Sequence, residues 1–144
     1  MIRPYSDDDL GDLLEAWYQA SLVAHSFLSD QFLANERREI AERWLPIAET
    51  RVYEHQGKVV GFISMLGNEV GAIFVHPLHQ RHGIGRALMD HVRESRPYLE
   101  LGVFEENEAG RRFYDRYGFE LVGRTMNEEA GHPELRLRLD LRPA

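Results

Sequence analysis

The sequence predicts an α/β chain in which helices interrupt a mixed, mostly antiparallel sheet. Three observations predict it. The first third carries two stretches of helical periodicity, the middle switches to apolar strand-like runs, and the remainder alternates between the two. Gln56-Gly57 separates residues 51–55 from 58–66 as a two-residue hairpin turn. Leu135, Leu137, Leu139 and Leu141 alternate strictly with charged residues, the mark of a half-buried strand.

The elements follow in order. Residues 2–4 form a short first strand. Ser6 followed by Asp9 reads as a capping box opening a helix. Leu10, Leu13, Leu14, Trp17 and Ser21 fall on one face of that helix. A second helix spans residues 30–44 with Phe32, Leu33, Ile40, Ala41 and Trp44 inward, and Pro46 helps to end it. Strands at 51–55, 58–66 and 70–75 come next, the last stopped by His76-Pro77. Residues 83–94 are a helix with Ile84, Ala87, Leu88, Met89 and Val92 available to pack. A strand at 98–104 leads to a helix at 107–117 that Gly118 closes. Strands at 119–126 and 134–141 finish the chain, so the order is β-α-α-β-β-β-α-β-α-β-β. With no repeat, low-complexity tract or linker, residues 1–144 are expected to form a single domain. An exposed edge at 134–141 would let a second copy pair there, so a homodimer is an expectation.

Composition narrows the function. A chain that is 43% hydrophobic can bury a core without staples. The absence of cysteine excludes disulfides, thiolate metal sites and a cysteine nucleophile. It fits a reducing compartment, and neither a membrane-length apolar run nor a signal-like N-terminus is present, so a soluble cytoplasmic protein is expected. A net charge of -7 argues against a nucleic-acid partner. Yet Arg81, His82, Arg86, Arg111 and Arg112 concentrate in two short segments, which suits a small anionic ligand.

The first of these segments runs Val75-His-Pro-Leu-His-Gln-Arg-His-Gly-Ile-Gly-Arg-Ala-Leu88. Gly83 and Gly85 lie between an apolar strand and an amphipathic helix. There, glycine lets backbone N–H groups approach a ligand, and the helix start adds unpaired donors and a positive dipole end. Together with Arg81 and Arg86 they make a site suited to a pyrophosphate. A dinucleotide fingerprint would need a glycine where Leu88 stands, and a Walker A loop would need Gly-Lys-Ser/Thr; neither is present. A plain strand-to-helix turn would show the same glycines.

Gln80-Arg-His-Gly83-Ile-Gly85 resembles the Gln/Arg-x-x-Gly-x-Gly/Ala signature of the GNAT superfamily of N-acetyltransferases, and Val75-His76-Pro77 matches its usual Val-x-Pro. The resemblance implies a GNAT-like fold, with acetyl-CoA as acyl donor. It implies that Arg81, His82, Gly83, Ile84, Gly85 and Arg86 hold the pyrophosphate. It also implies that Ile73, Phe74 and Val75 pair with the pantetheine arm, a backbone N–H of that strand serving the thioester oxygen.

A second segment, Asn107-Glu-Ala-Gly-Arg-Arg-Phe113-Tyr114-Asp-Arg-Tyr-Gly118-Phe119, resembles the family's Asn-x-x-Ala-x-x-Phe/Leu-Tyr-x-x-x-Gly-Phe, with Gly110 in place of the usual alanine. Asn107 stands as N-cap of the helix. By resemblance it also lies near the pantetheine, and Tyr114 protonates the departing thiolate. A phenol near sulfur can donate as charge develops there; a core tyrosine beside Phe113 is the plainer alternative. The two signatures stand in the family's order, 27 residues apart from Gln80 to Asn107. His25-Ser-Phe27-Leu28 resembles the His-x-Phe-Leu of a YjaB-like bacterial group, which makes His25 and Phe27 candidate substrate-binding residues.

Attack requires a neutral amine. Glu69, 11 residues before Gln80, is the candidate base, with His25 as competitor; the family often manages without one. His76, His79 and His82 lack the carboxylate and helical spacing of a metal site, so no metal is expected. Glu105 and Glu106 near the pocket mouth would suit a cationic acceptor. The expected function is direct transfer of acetyl from acetyl-CoA to a primary amine on a small molecule or peptide. A non-catalytic CoA-binding sensor or interaction module is the alternative. An acyl-enzyme route is disfavoured without cysteine. Antibiotics, polyamines, amino acids, peptide N-termini and lysines all remain open as acceptors.

Overall fold

In the computed structural model, which describes residues 1–141, the elements occur in the expected order. They are β1 (Ile2–Pro4), α1 (Leu10–Ala24), α2 (Asp30–Glu39), β2 (Glu49–His55), β3 (Lys58–Leu66), β4 (Glu69–Val75), α3 (Ile84–Arg93), β5 (Tyr98–Phe104), α4 (Glu108–Tyr117), β6 (Glu120–Asn127) and β7 (His132–Asp140). The strands form one seven-stranded sheet in the order β1-β2-β3-β4-β5-β7-β6. Every neighbouring pair is antiparallel except β4 with β5. That exception follows from α3, the crossover that returns the chain in the same direction.

Local chemistry explains several ends. The Asp9 carboxylate accepts from the Ser6 backbone N–H at 2.9 Å, and both its oxygens take the Arg3 guanidinium at 2.8 and 2.9 Å. The start of α1 is thereby tied to β1. Gln56 and Gly57 both have positive φ, 51° and 79°, as a two-residue hairpin turn requires. Gly118 ends α4 at φ 118°. The second helix differs from the single span expected over 30–44. Regular α-helix stops at Glu39, and Ile40–Trp44 widens into a π-helical turn in which Leu45 N–H donates to the Ile40 carbonyl at 3.0 Å.

A core lies on each face of the sheet. On one face Leu88 and Met89 of α3 pack with Ile63, Met65, Leu99 and Leu101 of the sheet; on the other Leu13 and Trp17 of α1 and Leu33 of α2 pack with Val52 and Phe62. β3, covered on both sides, is buried over nearly its whole length. Leu88 and Met89 are fully buried, and burial on that scale contributes about 2 kcal/mol per side chain.

The expected edge at 134–141 is corrected. β7 lies inside the sheet, paired with β5 from Asp140↔Tyr98 to Glu134↔Phe104 and with β6 on its other side. The edge strand on that side of the sheet is β6, which exposes Leu121, Val122 and Met126. The alternating leucines mark a strand with Leu135 and Leu137 buried on one face, a pattern that says nothing about its neighbours in the sheet.

Candidate active site

The site begins where the sheet fails to close. β4 and β5 share a single register pair, Glu69↔Glu100, beside the bond from Glu100 N–H to the Asn68 carbonyl at 3.0 Å. Beyond it, β4 stays with β3 as far as Val75↔Gly61, while β5 stays with β7 as far as Phe104↔Glu134. The register of β4 on β3 slips between Ser64↔Ala72 and Met65↔Val70, leaving Gly71 as a bulge residue. A bulge bends its strand and raises its twist. Here it turns β4 away from β5. One backbone edge of residues 71–74 therefore faces a cavity of about 430 Å³ lined by Ala72, Ile73 and Phe74 on one side and by Gly102, Val103, Phe104, Asn107 and Tyr114 on the other. Extended backbone with free donors and acceptors is what an amide-bearing chain can pair with.

At the end of β4 the chain makes a short turn over Pro77–His79, and the Gln80 side-chain amide donates to the Val75 carbonyl at 2.9 Å. Arg81 (φ 67°) and Gly83 (φ 77°) both adopt the left-handed conformation before α3 begins. The backbone N–H groups of residues 81–86 find no backbone acceptor among the described residues; the first returning bond is from Ala87 N–H to the Gly83 carbonyl at 2.9 Å. They lie at and just before the start of α3, and a Cβ on Gly83 would meet nothing within 4 Å. Exposed Arg81, His82 and Arg86 surround them. This arrangement fits a pyrophosphate. Gly85 has a different neighbour, since a Cβ there would touch the Phe113 ring at 3.5 Å, so its smallness sets how closely α3 approaches α4.

Asn107 caps α4 as expected, its Oδ1 accepting from Gly110 N–H at 3.0 Å. Its amide nitrogen also lies 3.4 Å from Nε2 of His25 at the end of α1, joining the two sides of the cleft. Gly110 explains how the amide sits there: a Cβ at residue 110 would fall 2.5 Å from Asn107 Nδ2. Burial lowers the His25 pKa to about 4, so its ring is neutral, and edge contacts with Phe27, Phe74 and Phe104 hold it. Tyr114 lines the cavity from the α4 side, packed edge-on against Phe113 and Phe119, and burial pushes its phenol above the usual range. It therefore remains protonated and able to donate at any physiological pH.

Other expected residues are placed differently. Glu69 lines the cavity, but both its oxygens accept from Arg136, at 2.9 and 2.7 Å, so the candidate base is already engaged. Phe27 packs between Phe104 and His132 and backs the cavity wall. Glu105 pairs with Arg124 at 2.9 Å and Glu106 with His132 at 2.6 Å, which occupies the acids expected to meet a cationic acceptor. Besides Glu69, Glu36 and Glu134 line the cavity that holds Tyr114, and sequence reasoning missed both. A charged residue on the inward side of α2 was the available signal for Glu36; Gly71 within an apolar strand was the signal for the bulge. His79 sits beside His55 and His76, with ring centroids at 5.5 and 6.1 Å, and no metal-binding group of three gathers among the described residues.

This geometry has close relatives. The acetyltransferase (GNAT) domain profile matches residues 46–121. Peptidyl-lysine N-acetyltransferase YiaC of Escherichia coli is 32% identical over 134 residues, covering 92% of both chains. Peptidyl-lysine N-acetyltransferase YjaB of the same organism is 30% identical over 133 residues, covering 92% of this chain and 90% of its own. The solution structure of apo YjaB superposes with a TM-score of 0.84 over 96% of this chain and 95% of that one, at 28% identity. The yncA protein of Salmonella typhimurium, solved with acetyl-CoA, shares the fold at a TM-score of 0.72 and 22% identity, over 100% of this chain and 95% of its own. The cleft between β4 and β5, the donor-rich loop before α3 and the two motifs thus converge with these likenesses, and the chain belongs to the GNAT family of N-acetyltransferases.

Proposed function

We propose that this protein transfers the acetyl group of acetyl-CoA to the ε-amine of a lysine in a peptide or protein, by direct attack. The observation that carries it is the open β4 edge, which shares one cleft with Tyr114 and runs at its end into the donor loop. Two relatives spanning nearly the whole chain, both peptidyl-lysine N-acetyltransferases, support lysine as acceptor.

In this reading the donor supplies an activated thioester, and the protein supplies position and charge. Backbone N–H groups of residues 81–86 hold the pyrophosphate, with Arg81, His82 and Arg86 adding charge. Residues 73–75 pair with the pantetheine, and one of their N–H groups meets the carbonyl oxygen as it gains charge. The neutral amine forms the N–C bond as the C–S bond breaks, the Tyr114 phenol gives its proton to the leaving sulfur, the nitrogen gives up one of its two protons to solvent, and the phenolate takes one back. Since Glu69 is held by Arg136, its part is to fix the closed end of the cleft. The neutral His25 ring and Phe27 shape the acceptor side. The cysteine-free composition and the choice of donor support work in the cytoplasm.

The test is incubation with acetyl-CoA and a lysine-containing peptide, read by mass spectrometry. Lysine-dependent gain of one acetyl group supports the reading; acetylation only of the peptide N-terminus would redirect it to α-amines.

A further inference from the structure

Tyr117, on the last turn of α4, meets three charged residues of α3. Its hydroxyl donates to Asp90 Oδ1 at 2.5 Å and accepts from Arg93 Nη1 at 3.2 Å. Its ring takes two guanidinium groups on its faces, with the carbon of Arg86 at 5.8 Å and that of Arg93 at 5.4 Å from the ring centroid. Phe113, one turn earlier on α4, packs on the same ring with centroids 6.2 Å apart. Tyr117 is half-buried, and burial together with the bond to Asp90 raises its phenol, so the hydroxyl remains a donor.

Arg86 and Asp90 stand four residues apart on α3, the spacing at which opposite charges on a helix pair. They do not pair here. Asp90 is taken by the Tyr117 hydroxyl, and Arg86 lies over the ring. Among the described residues Arg86 has no carboxylate partner. It is the third residue of α3, at the end where the backbone N–H groups of residues 81–86 find no acceptor. A guanidinium resting on an aromatic face keeps its charge and its outer N–H donors, whereas one paired with a carboxylate has its charge cancelled.

We propose that Tyr117 is a positioning residue for donor binding: its ring carries the Arg86 guanidinium and its hydroxyl holds Asp90 away, so that Arg86 meets the pyrophosphate of acetyl-CoA with its charge uncancelled. Both halves act on one cation. The ring limits where the guanidinium can lie, and the hydroxyl occupies the acid that would otherwise compete with the donor for it. A released Asp90 would also set a negative charge beside the bound anion. The inference rests on the donor-loop reading above and extends it to a residue on another helix, outside the loop.

The experiment measures acetyl-CoA dissociation constants by titration calorimetry at low salt. It compares the wild-type protein with Tyr117→Leu, Arg86→Ala and their double variant, and with Tyr117→Phe alone and combined with Asp90→Asn. Denaturation midpoints verify that each is folded. Tyr117→Leu is expected to weaken acetyl-CoA about fivefold in the wild-type background and by less than about 1.5-fold where Arg86 is already alanine. Tyr117→Phe keeps the ring and should weaken binding about twofold, and adding Asp90→Asn should restore it. In steady state Tyr117→Leu should raise the acetyl-CoA KM with kcat nearly constant. Equal losses from Tyr117→Leu in both backgrounds overturn the proposal, because the tyrosine then acts through helix packing and not through Arg86. Arg86→Ala that binds as tightly as wild type overturns it too, and leaves the donor reading standing on the backbone groups. A wild-type protein that binds no acetyl-CoA overturns both. Should Tyr117→Leu fail to fold, the Tyr117→Phe pair decides: restoration by Asp90→Asn supports the proposal, and a loss that Asp90→Asn leaves in place, or no loss at all, overturns it.

Discussion

Arg136 and Glu69, 67 residues apart in sequence, are joined by two hydrogen bonds of 2.9 and 2.7 Å. Arg136 stands on β7, so its side chain crosses β5 to reach β4. The same guanidinium takes Glu100 at 2.9 Å. Glu69 and Glu100 are the register pair at which the two parallel strands still touch. The cation therefore sits at the closed end of the cleft between the two carboxylates, and Arg138 holds the other oxygen of Glu100 at 2.7 Å.

Arg136→Met is expected to lower stability only modestly, because the partners are partly exposed and screened by water and Glu100 keeps Arg138. Glu69→Gln in that background should cost little further, since the two substitutions remove one interaction. Urea midpoints of the single and double variants check this, and an unchanged midpoint for Arg136→Met removes the clamp.

Tyr114→Phe keeps the ring packing on Phe113 and Phe119 and removes only the hydroxyl. Turnover should fall about a hundredfold while the acetyl-CoA dissociation constant stays put. Equal losses in both quantities would mean that the phenol binds donor and does not serve the sulfur.

Gly83 separates conformation from contact. A Cβ there meets no atom within 4 Å, but φ is 77°. Gly83→Ala should therefore cost about 1–2 kcal/mol through the backbone alone, and Gly83→Asn less, because asparagine tolerates the left-handed region. Acetyl-CoA affinity should drop in the same order. Alanine matching glycine in both stability and affinity would show that the loop does not need this conformation.

His25 links stability to pH. Its pKa in the fold is about 4, below its ordinary value of 6.5. The unfolded chain therefore binds a proton between those values while the native ring does not. Its contribution to stability is full above pH 6.5 and is lost as pH falls towards 4, by roughly 3 kcal/mol at most. Denaturation midpoints at pH 7 and pH 5 should differ more for wild type than for His25→Gln; equal differences would rule out a neutral buried ring.

Much of the fold was legible because its signals are local. The helix starting near Leu10, the Gln56-Gly57 hairpin, the Asn107 cap and the Gly118 stop each depend on residues within one turn of one another. The donor loop was legible for the same reason, since Gly83 and its neighbours carry their geometry in sequence. What sequence misplaced was non-local. The strand at the C-terminal end is interior because β6 folds outside it, and alternation of leucines is the same for an inner and an outer strand. Glu69 had the right position for a base, yet its partner lies on another strand.

The sequence by itself determined the order of elements, the loop that presents unpaired N–H groups and the helix that carries Tyr114, because each follows from periodicity, capping and backbone freedom over a few residues. Only the tertiary structure decided which carboxylates face the cavity. Arg136 takes Glu69, Arg124 takes Glu105 and His132 takes Glu106, while Glu36 and Glu134 stand on the cavity wall. Charge pairing is settled by distance in space, and residues far apart in sequence come within that distance only once the sheet has assembled.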